Sequence, residues 1–306
     1  MSEILFDGLT LACGICATPA GLYIADAGAG IVWRVPPSGS PQVVAELGMP
    51  LRIVPDGDAA LVTNCEEESS VWRVGAGPPQ EIASELSFPV EIARGGGALY
   101  VTCLGEDRDG GFVQRISPSE VRRVANGLTG PTGIAADGDL LVLDRAARLL
   151  RIDERTGAVS IVASPEESLV EEVLYGRKPP PRGLRSLGPG VPATFGLASS
   201  GATVFWVGLD GSLRSFPPQQ PSAPEQETDP ASLRGTDIAI AGAHVYIAKR
   251  GGAHMERRSQ SGDSAAAFVD ADGAVQAIAT DGRRLFWTTA GSEDRPGRLY
   301  VHPLAR

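Results

Sequence analysis

The sequence predicts an all-β protein, a seven-bladed β-propeller. Three observations carry this. A unit of about 40 residues recurs along the chain. Each unit is a series of short apolar runs separated by Gly, Pro and Asp turns. The piece missing from the last unit stands at the opposite end of the chain. The clearest unit runs from Gly130 to Gly157, GPTGIAADGDLLVLDRAARLLRIDERTG. It reads as turn, strand, Asp-Gly turn, strand, loop, strand, turn.

The apolar residue after the first turn marks each copy: Ile15, Ile53, Ile92, Ile134, Leu197, Ile238 and Ile278, at spacings of 38, 39, 42, 63, 41 and 40. A Gly-containing turn follows each marker, as in Asp56-Gly57-Asp58, Asp137-Gly138-Asp139 and Asp281-Gly282. Then comes a β-branched or aromatic run such as Leu22-Tyr23-Ile24, Leu99-Tyr100-Val101 or Leu285-Phe286-Trp287. A third run usually carries an Arg at one place: Arg34, Arg73, Arg115, Arg151 and Arg214. A period near 40 with several short strands per unit is that of a propeller blade. A helical repeat of this length would need apolar residues at i, i+3 and i+4 instead.

Fourth strands are legible at Gln42–Ala45, Glu81–Ala83, Val121–Val124, Val159–Val162 and Ala267–Val269. The last unit ends after Leu299-Tyr300-Val301 without one. Glu3-Ile4-Leu5-Phe6-Asp7-Gly8-Leu9 resembles Arg123-Val124-Ala125-Asn126-Gly127-Leu128. The N-terminal strand is therefore expected to complete the last blade, which removes the open edges of an unclosed array. Six blades is the alternative, with the sparse fifth unit taken as an insertion.

The repeat fills residues 1–306 and argues for one domain, with an insertion at about 164–192 between blades four and five. Its start, Ser164-Pro165-Glu166-Glu167, has Pro and acids where a helix would begin. Gly 38 and Pro 24 suit a turn-dense chain. A net charge of −10 disfavours nucleic acid and anionic membrane as partners. No apolar run approaches the ~18 residues of a membrane span. The first ten residues lack a basic start and a long apolar core. The expectation is a cytoplasmic monomer whose partner is a small molecule or a peptide.

Cys13-Gly-Ile-Cys16 has redox-type spacing but falls on an inner strand. Redox pairs use a helix N-terminus to lower the thiol pKa. Buried thiols are the expectation. No G-x-S-x-G, phosphate loop or H-E-x-x-H occurs.

The starts of the inner strands and the ends of the second strands share one face of the disc. Just before the markers stand Gly14, Arg52, Glu91, Gly133, Gly196, Asp237 and Ala277. At the ends of the second strands stand Asp26, Cys65, Cys103, Asp144, Gly208, Lys249 and Thr289. These positions vary where the rest of the unit converges, as a site grafted on a scaffold would. The candidate ligand-binding residues are Arg52, Glu91, Asp237, Asp26, Asp144, Lys249, Cys65 and Cys103. Glu91, Asp237, Asp26 and Asp144 could hold calcium or magnesium, with Lys249 or Arg52 facing developing negative charge. Asp107-x-Asp109-Gly110 is a fragment of a calcium-type loop. His254 is the nitrogen donor nearest the Cys65 and Cys103 positions.

The G-I-x-x-x-G-x-L-x-V-x-D unit followed by Arg-Ile resembles the blades of virginiamycin B lyase and its seven-bladed relatives. It is also similar to NHL-repeat and gluconolactonase-type propellers. The lyase resemblance implies a divalent metal and catalytic His and Glu before the markers of the last two blades. The matching positions are Thr236, Ala274 and Gln276. The gluconolactonase resemblance implies a calcium held by Glu, Asn and Asp facing the channel. Two readings follow: a propeller that binds a small molecule or peptide on the channel face, or a metal-assisted lyase or lactone hydrolase at the same place.

Overall fold

The marker residues organise the core. In a computed structural model of the chain, six of the seven are buried, from Ile92 at 4 % to Ile238 at 8 % exposed. Each lies on a short inner strand whose alternate side chains face neighbouring blades. The structure describes residues 2–304 apart from 67–68, 106–109, 137, 146–147, 165–195, 201–202, 208–212, 217–235, 250–251, 261–264, 271 and 293.

Seven antiparallel sheets result, which is the predicted blade number. Among the described residues every regular element is a strand, and six sheets have four strands and one has three. The three-stranded sheet is blade five, Leu197–Phe216. Blade one runs through Ala12–Thr18, Gly21–Asp26, Ile31–Val35 and Gln42–Glu46, from the inner strand outward. The inner strands of blades two, three, four, six and seven are Pro50–Asp56, Pro89–Gly95, Pro131–Ala135, Thr236–Ala241 and Val275–Thr280. The insertion at 164–192 lies, Ser164 apart, outside the described residues, and so does its expected helix.

Each of seven apolar clusters draws on two successive blades. One joins blade seven to blade one through Phe286, Leu299, Ile15 and Ile24. A single blade cannot bury both its faces, so stacking against neighbours supplies the core. The outermost strands show the cost of the edge position. Ile4, Val43, Val121 and Ile161 remain exposed there.

Closure follows the expected route. Glu3–Leu9 pairs antiparallel with Gly297–Pro303, from Glu3 opposite Val301 to Leu9 opposite Gly297. The likeness to residues 123–128 is structural as well. Leu128 faces Gly111 as Leu9 faces Gly297, and both strands are irregular near that end. Gly8 and Gly127 sit at φ +113° and +71°. A side chain is strained there, which explains Gly in both copies.

Two registers differ from the sequence reading. Arg34, Arg73, Arg115 and Arg151 face Tyr23, Leu61, Tyr100 and Leu141, four equivalent places. Arg214 faces Trp206, one place out of step. The equivalent in blade six is Arg257, opposite Tyr246. At the end of the second strands, Ala12 faces Asp26, Pro50 faces Asn64, Pro89 faces Cys103 and Pro131 faces Asp144. Asn64, and not Cys65, is therefore the equivalent of Asp26.

Candidate functional site

The inner strands of blades one, two, three, four and seven carry a pairing irregularity just before the marker. An extra residue there bends the strand and turns one side chain out of the ladder. In blade three the extra residue is Val90, and Glu91 follows it opposite Thr102; in blade two Leu51 and Arg52 lie between the paired Pro50 and Ile53. The amides of Arg52 and Glu91 are not left unpaired. Arg52 N donates to Thr63 Oγ1 at 3.1 Å, and Glu91 N to Thr102 Oγ1 at 3.2 Å. Asp237 of blade six occupies the matching place on a regular strand, opposite Ala248.

These three side chains meet. Arg52 Nε lies 2.7 Å from Glu91 Oε1, and Arg52 Nη2 lies 3.0 Å from Asp237 Oδ1. The contact to Asp237 spans 185 residues of sequence and joins blades on opposite sides of the ring. The side chains are 17 %, 9 % and 6 % exposed, so the pairs are shielded from water. Burial alone would push the Arg52 pKa down. Asp237 and Glu91 outweigh it and hold the guanidinium above its usual range. Asp237 Oδ2 also accepts the Ile278 amide at 2.9 Å, which ties blade six to the inner strand of blade seven.

The glycine that blade one carries at this repeated place has a steric cause. A Cβ on Gly14 would stand 2.5 Å from the Leu51 carbonyl oxygen and 3.2 Å from Arg52 Cα. Blade one must therefore carry Gly where blade two carries Arg. Part of the variation that singled out this position reflects how closely inner strands approach.

Asp26 and Asp144 do not join Arg52. Asp26 is fully buried, and its two oxygens accept the amides of Thr10 and Leu11 at 2.8 and 2.7 Å. Asn64 does similar work for Met49 at 3.0 Å. Asp144 binds Arg148 through the amide at 2.9 Å and through Nε at 2.7 Å. Carboxylates at the ends of second strands hold the loops of this face. Among the described residues no three of His, Cys, Asp and Glu gather as a metal-holding group. The four-carboxylate set therefore does not fit the expected cation: two members grip Arg52 and two grip loops.

All four cysteines are buried and none forms a disulfide. Burial pushes Cys16 and Cys103 up to about 12 and Cys65 up to about 11, so they stay thiols at neutral pH. Cys65 packs with Cys13 and Leu51. His254 is exposed at the start of a third strand. Lys249 faces Thr236 in the ladder, and its side chain lies outside the described residues, as does the Asp107–Asp109 loop.

A cavity of about 430 Å³ opens on the other face of the disc, between blades one and two. Tyr23, Arg34, Asp58, Arg73 and Ala76 are among the residues that line it. Sequence reasoning missed it, because the recurring Arg of the third strand was read as part of the scaffold.

No family model and no curated protein matches the chain. Solved structures do. A calcium-binding protein, regucalcin, from Agrobacterium tumefaciens aligns at 14 % identity with a TM-score of 0.56, covering 100 % of this chain and 97 % of that one. The WD40 propeller domain of Doa1 aligns at 8 % identity with a TM-score of 0.64, over 97 % and 95 % of the two chains. YCF48 from Cyanidioschyzon merolae aligns at 12 % identity with a TM-score of 0.62, over 99 % and 98 %. Neighbours this diverse at such low identity share an architecture. The chain is a seven-bladed β-propeller.

Proposed function

We propose that the protein is a ligand-binding propeller whose axial residues recognise a small polar molecule or a peptide. The convergence of Arg52, Glu91 and Asp237 carries this reading. Three blades contribute one charged side chain each, at a repeated place that blades one, four, five and seven fill with Gly or Ala. Arg52 is the most exposed of the three. A planar guanidinium between two carboxylates offers donors to a polar ligand in a geometry already fixed. Thiols held protonated and acids committed to loops favour binding over chemistry.

Melting midpoints of the wild type against a panel of amino acids, dipeptides and sugar acids test the reading. A specific ligand raises the midpoint by mass action. The near-isosteric triple variant Arg52→Met, Glu91→Gln, Asp237→Asn removes every axial charge together. It should fold and lose the response. A triple variant that responds like the wild type would refute the axial assignment.

A metal-assisted lyase or lactone hydrolase is the competing reading, drawn from the resemblance of the repeat unit and from regucalcin, described as calcium-binding. In this chain a cation would have to displace Arg52 from Glu91 and Asp237. Calcium or magnesium that raises the wild-type midpoint, with the rise lost in Glu91→Gln, would favour it over simple binding.

A further inference from the structure

The seven-fold repeat allows one interblade site to be compared with another in the same molecule. Tyr100 follows the register of Tyr23, each one residue from a marker pair. Arg115 faces Tyr100 as Arg34 faces Tyr23. Both Tyr-Arg pairs look toward the loop after the third strand of the next blade. In blade four that strand ends at Ile152, and in blade two at Val74. Arg151 and Arg73 are equivalent, opposite Leu141 and Leu61. The residues that follow therefore correspond: Asp153 with Gly75, and Glu154 with Ala76.

The two sites differ at that last pair. Tyr100 donates its hydroxyl to Glu154 Oε2 at 2.6 Å, and Arg115 Nε lies 3.8 Å from the same oxygen. Blade four thus places a carboxylate against the Tyr-Arg pair of blade three. Blade two has Ala76 instead, and the 430 Å³ cavity opens in front of Tyr23 and Arg34. The third pair of this kind, Tyr246 with Arg257, is closed differently. Leu304 and Phe268 pack there, with the Phe268 ring 5.0 Å from that of Tyr246.

The open site keeps its donors. Arg34 gives Nε and Nη2 to the Ala20 carbonyl at 3.2 and 3.0 Å. Arg73 gives Nε to Asp56 Oδ2 at 2.6 Å. Arg34 Nη1 and both Nη groups of Arg73 have no protein partner among the described residues. Tyr23 donates to the Asp58 carbonyl at 2.9 Å, which leaves its oxygen free to accept. Burial raises the pKa of this phenol, Cys16 and Asp58 add to the rise, and the guanidinium groups of Arg34 and Arg73 oppose it, so the site holds two cations and the Asp58 acid. The Gly75-Ala76-Gly77 loop on the far wall carries no side chain beyond a methyl.

We propose that the cavity between blades one and two binds an external carboxylate, held by Arg34 and Arg73 in the place that Glu154 fills between blades three and four. The ligand is a small organic acid or the free carboxyl group of a peptide; the two share this chemistry. Planar guanidinium donors match a carboxylate in geometry and charge. The site is separate from the axial cluster and stands or falls without it.

The test titrates acetate, glutarate, acetamide, and trialanine with a free or an amidated C-terminus into the wild type, reading amide NMR shifts at Gly75 and Gly77. Acetate, glutarate or the free-carboxyl peptide should give saturable shifts, and acetamide and the amidated peptide none. Saturation by glutarate but not the peptide assigns a small acid, and the reverse assigns a chain terminus. Arg73→Gln should weaken binding about tenfold or more, as loss of a charged donor does. Ala76→Glu supplies the internal carboxylate of blade four; it should abolish binding and raise the melting midpoint. Absence of saturable shifts with every carboxylate would overturn the proposal. So would equal shifts with acetamide, or Ala76→Glu and Arg73→Gln both binding like the wild type.

Discussion

Asp26→Ala should loosen the closure of the ring more than any other part of it. The closing strand ends at Leu9, and the inner strand of blade one begins at Ala12. Only Thr10 and Leu11 lie between. Blade one grips this link through the two Asp26 oxygens and through Ala27 N on Leu11 O at 2.9 Å. Blade seven grips it through Gly291 N on Thr10 O at 2.9 Å and Thr288 Oγ1 on Ala12 O at 3.0 Å. Hydrogen bonds to a charged group contribute about 1.5–3 kcal/mol each. Two of them give about 3–6 kcal/mol. Thr10 is exposed and regains water, so the lower half of that range, about 3–4 kcal/mol, is expected. Asp26→Asn keeps one acceptor and should cost about half as much. Urea denaturation measures the loss, and native-state hydrogen exchange locates it. Protection should fall first at residues 3–9 and 297–303, because this pairing joins the two chain ends. A cost below about 1 kcal/mol, or protection lost evenly around all seven blades, would refute the clamp.

Arg52→Met alone should destabilise by about 3–5 kcal/mol, since it strands two buried carboxylates, whereas the triple charge-free variant should lie within about 2 kcal/mol of the wild type. Equilibrium urea curves of the two variants check this, and equal losses would mean that the charges do not act as a unit. The four thiols should resist a thiol-specific reagent at pH 8 in the folded protein and react together on unfolding, because Cys16, Cys65 and Cys103 are pushed up to about 12, 11 and 12. Rapid labelling of Cys65 in the native state would contradict its burial. At the Asp281 turn, burial favours the protonated carboxyl, but the amides of Arg283 and Arg284 and the Arg284 side chain hold its pKa below 3.8. Its contribution is therefore full above 3.8 and fades as pH falls through the lower folded-state value. Asp281→Asn should flatten the stability profile in that acidic window, and an unchanged slope there would count against the interaction.

The ring was legible because its determinants are local. Markers, Gly turns and β-branched runs repeat within about 40 residues, and each says the same thing about its own blade. Even closure was readable, since Asp7-Gly8-Leu9 and Asn126-Gly127-Leu128 meet one demand: a left-handed glycine beside an irregular pair, then a Leu opposite Gly. The face of the axial cluster was legible for the same reason, because Arg52, Glu91 and Asp237 hold one repeated place. Their meeting was not. It joins residues 185 apart, and nothing local in the unit specifies which charges lie across an axis.

Register is where reading by pattern failed. The apolar landmark itself shifts between blades: Leu22 opens the second strand of blade one, but Ala60 holds that place in blade two, one residue before Leu61, so counting along the strand from its first large apolar residue drifts by one. Cys65 was chosen by such a count, and the ladder puts Asn64 in its place, carrying the same hydrogen-bonding duty as Asp26. Arg214 drifted likewise, and Arg257 was overlooked. The carboxylate proposal depends on the corrected ladder, because Ala76 and Glu154 become equivalent only when Arg73 and Arg151 are matched strand to strand. In a repeat protein the informative position is one where the scaffold demand is met in every unit and a partner is supplied in only some. Tyr23 and Arg34 meet that description, since their counterparts in blade three touch an acid from the next blade and they themselves face a void.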